Sequence, residues 1–257
     1  MGDSVPEATK SAVVGTTPQG AHDERAAAAT VREMFTAIAP RYDLLNHVLS
    51  LNVDRLWWRR TARVFAHILA RPQARVLDLC CGTGDMGLAL RRQAGSASPS
   101  ILGVDFSHAM LRLAQAKFAG KNATAVEADA LQLPFAGGRF DLVVTSFGFR
   151  NLANYDAGLR EIHRVLAEGG EVGILDFSEP RGLMGAAYGF YFRHLLPRIG
   201  TMISGVRGPY QYLPASVAKF PEPEEMLARM RTAGFSDVSW TPYTFGIAGL
   251  FRGTSQR

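Results

Sequence analysis

Two cysteines in 257 residues are too few for a disulfide framework, and these two, Cys80 and Cys81, are neighbours in the chain. Adjacent cysteines rarely bridge each other, so a reducing compartment, the cytoplasm, is expected. Nor do two cysteines in one loop make a zinc site, and no further ligand is spaced for one, so no metal is expected. No uninterrupted apolar run reaches the ~18 residues that a membrane-crossing helix needs. A basic start followed by an apolar stretch is missing from the N-terminus, which predicts no secretory signal. Charge of one sign does not dominate: the formal net charge is +5, which permits contact with an anionic membrane or nucleic acid and selects neither. Residues 1–24 are poor in aromatics and rich in Ala, Thr, Ser, Pro and Gly, and such a segment is expected to be disordered. The remaining length suffices for one well-buried domain with additions.

What is present is organised around Arg75–Met86, RVLDLCCGTGDM. An apolar run ends in a glycine-rich turn and a helical pattern follows, which reads as strand, loop and helix N-terminus at the ligand-facing corner of a doubly wound α/β domain. Gly82 and Gly84 would let a ligand approach the backbone where a Cβ would clash. Gly82, Gly84 and Gly87 also satisfy the dinucleotide fingerprint G-x-G-x-x-G, so a nicotinamide oxidoreductase must be weighed. Asp78 argues against it. Four positions before Gly82, its charge would repel a pyrophosphate and suits a cationic amino-acid end instead. A tight turn without a ligand is the plainer alternative.

Further acids stand at the tips of the next strands. Asp105 follows the strand Ile101–Val104 and lies 21 residues beyond Gly84, the offset of an acid that holds a ribose diol. In Asp105-Phe106-Ser107 the serine is the better helix cap, which would leave Asp105 to the ligand. Asp129-Ala130 follows the strand Ala123–Glu127, an acid and a small residue suited to an adenine amino group and ring. The strand Phe140–Thr145 runs into Ser146-Phe147-Gly148-Phe149-Arg150-Asn151, at the edge where doubly wound folds place chemistry. Arg150 has no acid near it in sequence; a structural ion pair and a functional role both stay open. A fifth strand, Glu171–Asp176, follows the Gly169-Gly170 turn.

Two helical stretches, from Glu24 to Pro40 and Asp54–Leu69, precede the first strand and predict a helical lid over 25–72. Tyr42, Asp43 and Asn46 fall at their junction, where local capping and closure over a substrate are both open. Residues 181–220 hold Arg181, Arg193, Arg198, Arg207, Lys219 and seven Tyr or Phe residues but no acid. Such an insertion suits a lipid tail or a membrane surface; a dimer face or a plain cap are the alternatives. Nucleic acid is disfavoured, because the aromatics cluster instead of alternating with the basic residues. The chain closes with a helix over Glu222–Gly234 and two strands, Val238–Tyr243 and Ile247–Arg252.

That closing hairpin, with Asp78…Gly82-Thr83-Gly84 as motif I, resembles the class I methyltransferases. Several segments together resemble one family among them, the quinone-biosynthetic C-methyltransferases that act on demethylmenaquinone and on the ubiquinone precursor: FTAIAPRYDLLNHVLSLNVDRLWWRR (35–60), VLDLCCGTGDM (76–86), GVDFSHAMLRLAQAK (103–117), ADALQLPF (128–135), FDLVVTSFGFRNL (140–152) and HRVLAEGGEVGILDFSEP (163–180). The YDLLN and SFGFRN segments are far more specific than the glycine loop. Two departures are minor: Cys80 replaces the first glycine of the general motif, and Asp129 stands where asparagine is frequent.

The resemblance implies a Rossmann-like seven-stranded sheet, mostly parallel with a C-terminal antiparallel hairpin. The methyltransferase domain would span 73–257, with a helical insertion at 181–222. It implies S-adenosylmethionine as donor, S-adenosylhomocysteine as product and no metal. By match of position Thr83, Asp105, Asp129, Ala130 and Ser146 would contact the donor, and Asp78, Gly82, Gly84 and Phe106 are counted with them. Arg150 would stabilise the acceptor's phenolate, with Asn151 and Tyr42 orienting the ring. The implied acceptor is a polyprenylated hydroquinone, demethylmenaquinol by the CCGTGD loop, with the benzoquinol precursor as alternative. Peripheral contact with the inner face of the cell membrane and a possible homodimer are expected, and no nucleic acid. An RNA methyltransferase and a non-catalytic binding protein are the more distant readings.

Overall fold

The computed structural model describes residues 14–18, 20–50, 52–180 and 209–256. Seven strands form one sheet: β1 (Arg75–Leu79), β2 (Ser100–Asp105), β3 (Ala123–Glu127), β4 (Phe140–Ser146), β5 (Leu166–Phe177), β6 (Phe235–Tyr243) and β7 (Ala248–Ser255). Their order is β3-β2-β1-β4-β5-β7-β6. The first five run parallel, and β7 lies antiparallel to both β5 and β6, so the predicted mostly parallel sheet with its closing hairpin is present.

β1 is buried along nearly its whole length because helices cover both faces of a central parallel strand. Its side chains alternate between two cores. Leu77 and Leu79 join Val143, Val172 and Ile174 under α7 (Tyr155–Val165) and α9 (Pro223–Thr232). Val76 joins Leu142, Val144 and Leu175 under α3 (Val53–Val64), α4 (Ala66–Leu69) and α5 (Asp85–Ala94). The other α-helices among the described residues are α1 (Glu24–Ile38), α2 (Tyr42–Leu49), α6 (His108–Phe118) and α8 (Pro209–Lys219).

Four details differ from the sequence reading. The helix expected over Asp54–Leu69 breaks at Phe65, which is fully buried above Gly173; a Cβ on that glycine would lie 2.6 Å from the Phe65 ring. The Gly169–Gly170 turn lies inside β5, where pairing jumps from Phe140–Leu166 to Leu142–Glu171. Tyr42 and Asp43 are not a junction between helices but the first turn of α2. The segment expected to be disordered is ordered in part: the Thr16 amide donates to the Leu152 carbonyl at 2.8 Å and its hydroxyl meets Tyr212 Oη at 2.6 Å. Most of the acid-free insertion, residues 181–208, lies outside the described residues. No helix among the described residues is long and apolar enough to cross a membrane.

Candidate active site

The parallel order carries the tips of β1, β2, β3 and β4 to one edge, and a cavity of about 730 Å³, open at its mouth, lies there. Gly82 and Cys80 line it from the β1 loop, Asp105 and Phe106 from β2, Asp129 and Ala130 from β3, and Ser146 and Asn151 from β4. Tyr42 and Phe35 close it from the lid side.

The two loop glycines do different work. At Gly82, φ is +53° and an added Cβ would meet nothing nearer than Tyr42 at 3.9 Å, so the missing side chain leaves a cradle in the cavity wall. At Gly84, φ is +87° and an added Cβ would lie 2.8 Å from the Phe118 ring. Gly84 therefore makes room for α6, not for a ligand.

The three acids expected nearby divide in the same way. Asp105 lines the cavity while its carboxylate accepts from the Gly82 amide at 2.8 Å and the Ser107 amide at 2.9 Å. A carboxylate has lone pairs for more than these two bonds. Burial raises the Asp105 pKa and the amide bonds oppose that. Ser107 sits at the cap position of α6, but its hydroxyl meets Thr36 and makes no cap bond, so Asp105 is not left to a ligand alone. Asp129 also lines the cavity and holds its own turn through the Leu131 amide at 2.9 Å. Asp78 does not line it. Fully buried, it accepts from the Gly87 amide at 2.7 Å, and burial pushes its pKa up to about 8. The polar group that Asp78 meets is the backbone of α5.

Thr83 likewise turns away from the cavity. Its hydroxyl donates to Asp43 on α2 at 2.6 Å and accepts from Lys117 on α6 at 3.0 Å. Lys117 also pairs with Asp43 at 2.7 Å and Asp85 at 2.9 Å. Asp43 thus ties the lid to the glycine loop. Tyr42, one residue earlier, presents its ring to the cavity, and burial raises its pKa so that the phenol stays protonated.

At the tip of β4 the sequence reading is most changed. Arg150 is almost fully buried, and its guanidinium pairs with Asp176 at the end of β5 at 2.9 Å. The same carboxylate accepts the Arg150 amide at 3.0 Å and the Phe177 amide at 2.9 Å. The guanidinium also donates to the Phe147 carbonyl, and Tyr155 Oη donates to the Arg150 carbonyl at 3.0 Å. Of the two roles left open by the sequence, the geometry carries the ion pair. Asn151 lines the cavity and accepts from Tyr212 at 3.1 Å, while Ser146 accepts from the Trp58 indole at 2.8 Å. Trp58, Lys117 and Asp176 are supporting residues that the sequence reading missed. Asp176 alone left a signal, since it ends the strand after Arg150.

Comparison with known proteins agrees with this architecture. The profile of the ubiE/COQ5 methyltransferase family matches residues 20–255. A demethylmenaquinone methyltransferase of Deinococcus radiodurans is 49% identical over 226 residues, covering 87% of this chain and 91% of the relative. A ubiquinone/menaquinone biosynthesis C-methyltransferase of Geobacter sulfurreducens is 43% identical, covering 87% of each. Among solved structures, a Thermotoga maritima S-adenosylmethionine-dependent methyltransferase shares the fold, with a TM-score of 0.60 at 17% identity over 87% of this chain and 99% of that one. The cavity at the strand tips and the match along nearly the whole chain have one reading: this chain is a member of the ubiE/COQ5 methyltransferase family.

Proposed function

We propose that the protein transfers a methyl group from S-adenosylmethionine to a ring carbon of a polyprenylated hydroquinone, demethylmenaquinol, in quinone biosynthesis. The observation that carries this is the cavity wall, in which Gly82, Asp105, Asp129–Ala130 and Ser146 follow one another from four successive strand tips. The cradle at Gly82 and the buried Asp105 beside it fit the donor: the carboxylate can accept from ribose hydroxyls while the loop amides keep it oriented. Asp129 suits an adenine amino group and Ala130 the ring face. When bound, the donor supplies an electrophilic methyl on a sulfonium. Asp78 serves the donor by holding the loop through Gly87, not by touching it.

An aromatic carbon becomes nucleophilic once the neighbouring hydroxyl gives its proton to water at the open mouth of the cavity; the carbon–methyl bond then forms as the sulfur–methyl bond breaks, and the ring carbon's own proton also passes to water. Tyr42, kept protonated by burial, can donate to that oxygen as charge develops on it, and Asn151, which also lines the cavity, can orient the ring. Arg150 acts at one remove, fixing the Phe147–Asn151 turn through Asp176, and is a positioning residue. The acceptor's prenyl tail lies in a bilayer, so the protein meets the membrane peripherally.

The test is incubation with methyl-labelled donor and, in separate reactions, reduced demethylmenaquinone, the prenylated benzoquinol precursor or RNA. Label should enter the naphthoquinol. Label in the benzoquinol alone would move the substrate to the ubiquinone branch, and label in RNA alone would overturn the reading.

A further inference from the structure

The outer face of α3 carries charge of one sign. Arg55, Arg59 and Arg63 recur every four residues with Leu56 and Arg60 alongside, all exposed, while Trp57, Trp58, Thr61 and Ala62 turn inward. The acid of this helix, Asp54, is buried and held by His47 at 2.9 Å. Against α3 packs the turn between β6 and β7: the Trp57 indole donates to Thr244 at 2.8 Å, and the Arg60 guanidinium lies 4.3 Å from the Tyr243 ring centroid.

The next residue in that turn, Phe245, is 76% exposed and holds a φ of 57°, a left-handed conformation that costs an aromatic residue energy. Leu56, the residue before Trp57 on α3, is 58% exposed. Pairing of Phe177 with Ala248 puts the turn at the C-terminal edge of β5, the edge on which the cavity opens. On the inward side of α3, Trp58 bonds the cavity-lining Ser146. Glu179 is an exposed acid on this edge, against four arginines.

We infer that the α3 arginines and the Phe245 tip form a docking surface for an anionic lipid bilayer. The guanidiniums complement a negative headgroup layer, and Phe245 and Leu56 are placed to enter the boundary between headgroups and acyl chains. Nucleic acid is the poorer fit, because a lone aromatic tip offers no succession of stacking platforms. The surface deepens the membrane contact proposed above, and its test uses no methyl transfer, so that either reading can fail alone.

The whole protein is sedimented with phosphatidylcholine vesicles with and without phosphatidylglycerol. It should partition onto the anionic vesicles and be released by salt. The triple variant Arg55→Gln, Arg59→Gln, Arg63→Gln should bind them about 100-fold more weakly, at roughly fivefold per arginine. Phe245→Ser, which keeps the charge, should lose about tenfold. Unchanged melting temperatures would show both variants folded. No binding to anionic vesicles, equal binding by parent and triple variant, or displacement of the vesicles by RNA would each overturn the proposal.

Discussion

Replacing Arg150 by methionine separates the two roles that this side chain can play. Its partner Asp176 has no exposed side-chain surface, and Arg150 itself exposes only 6% of its own. The substitution leaves the Asp176 carboxylate with two backbone amides and no cation among the described residues. Breaking a buried pair from one side costs about 3–5 kcal/mol, because the remaining charge stays desolvated. At roughly 2–4 °C per kcal/mol for a chain of this size, the melting temperature should fall by roughly 6–20 °C. Asp176→Asn keeps an oxygen for the two amides but removes the charge. In the double variant Arg150→Met, Asp176→Asn the loss should therefore be smaller than the sum of the single losses, with a coupling of about 2–3 kcal/mol. Tryptophan fluorescence in urea gives all four stabilities, and calorimetric titration with S-adenosylhomocysteine reports the donor site. If Arg150→Met melts with its parent while turnover is lost, the guanidinium acts on the acceptor, and the positioning role is wrong.

The glycines should respond differently to alanine. Gly84→Ala forces a Cβ onto the Phe118 ring at 2.8 Å and should cost about 1–3 kcal/mol from overpacking beyond the backbone strain, whereas Gly82→Ala should lose chiefly affinity for S-adenosylhomocysteine; equal melting temperatures would refute the division. Between the ordinary carboxyl value of 3.8 and its folded value of about 8, Asp78 binds a proton that the unfolded chain has released, so it destabilises increasingly as pH rises through that window. The stability of Asp78→Asn relative to its parent should then climb with pH by at most about 1.4 kcal/mol per unit and level off above about 8; a flat difference in urea midpoints from pH 5 to 9 would refute the burial argument. Lys117→Met should cost only about 1 kcal/mol, since its pairs with Asp43 and Asp85 are partly exposed, yet it should speed proteolysis within α2, and unchanged cleavage would show that Asp43 does not need Lys117 to hold the lid.

The parts of this molecule that sequence made legible are those that backbone period determines. In a parallel sheet every strand ends on the same edge, so Asp105, Asp129 and Ser146 could be placed together from three apolar runs alone, and they do line one cavity. Side-chain partners obey no such period. Asp78 was expected to face a ligand, but it lies on the α5 face of β1, opposite Leu77 and Leu79, and Gly87 returns beneath it. Thr83 meets Asp43 across 40 residues, and Ser146 meets Trp58 across 88; nothing local announces either pair. Arg150 makes the point most sharply. Its sequence neighbours contain no acid, so the sequence leaves an ion pair and a functional role equally open. The pairing of β4 with β5 then brings Asp176 alongside from 26 residues away, and the charge that looked available is neutralised. The polar side chain that faces the cavity from that turn is Asn151, held by Tyr212, while the guanidinium stays paired with Asp176.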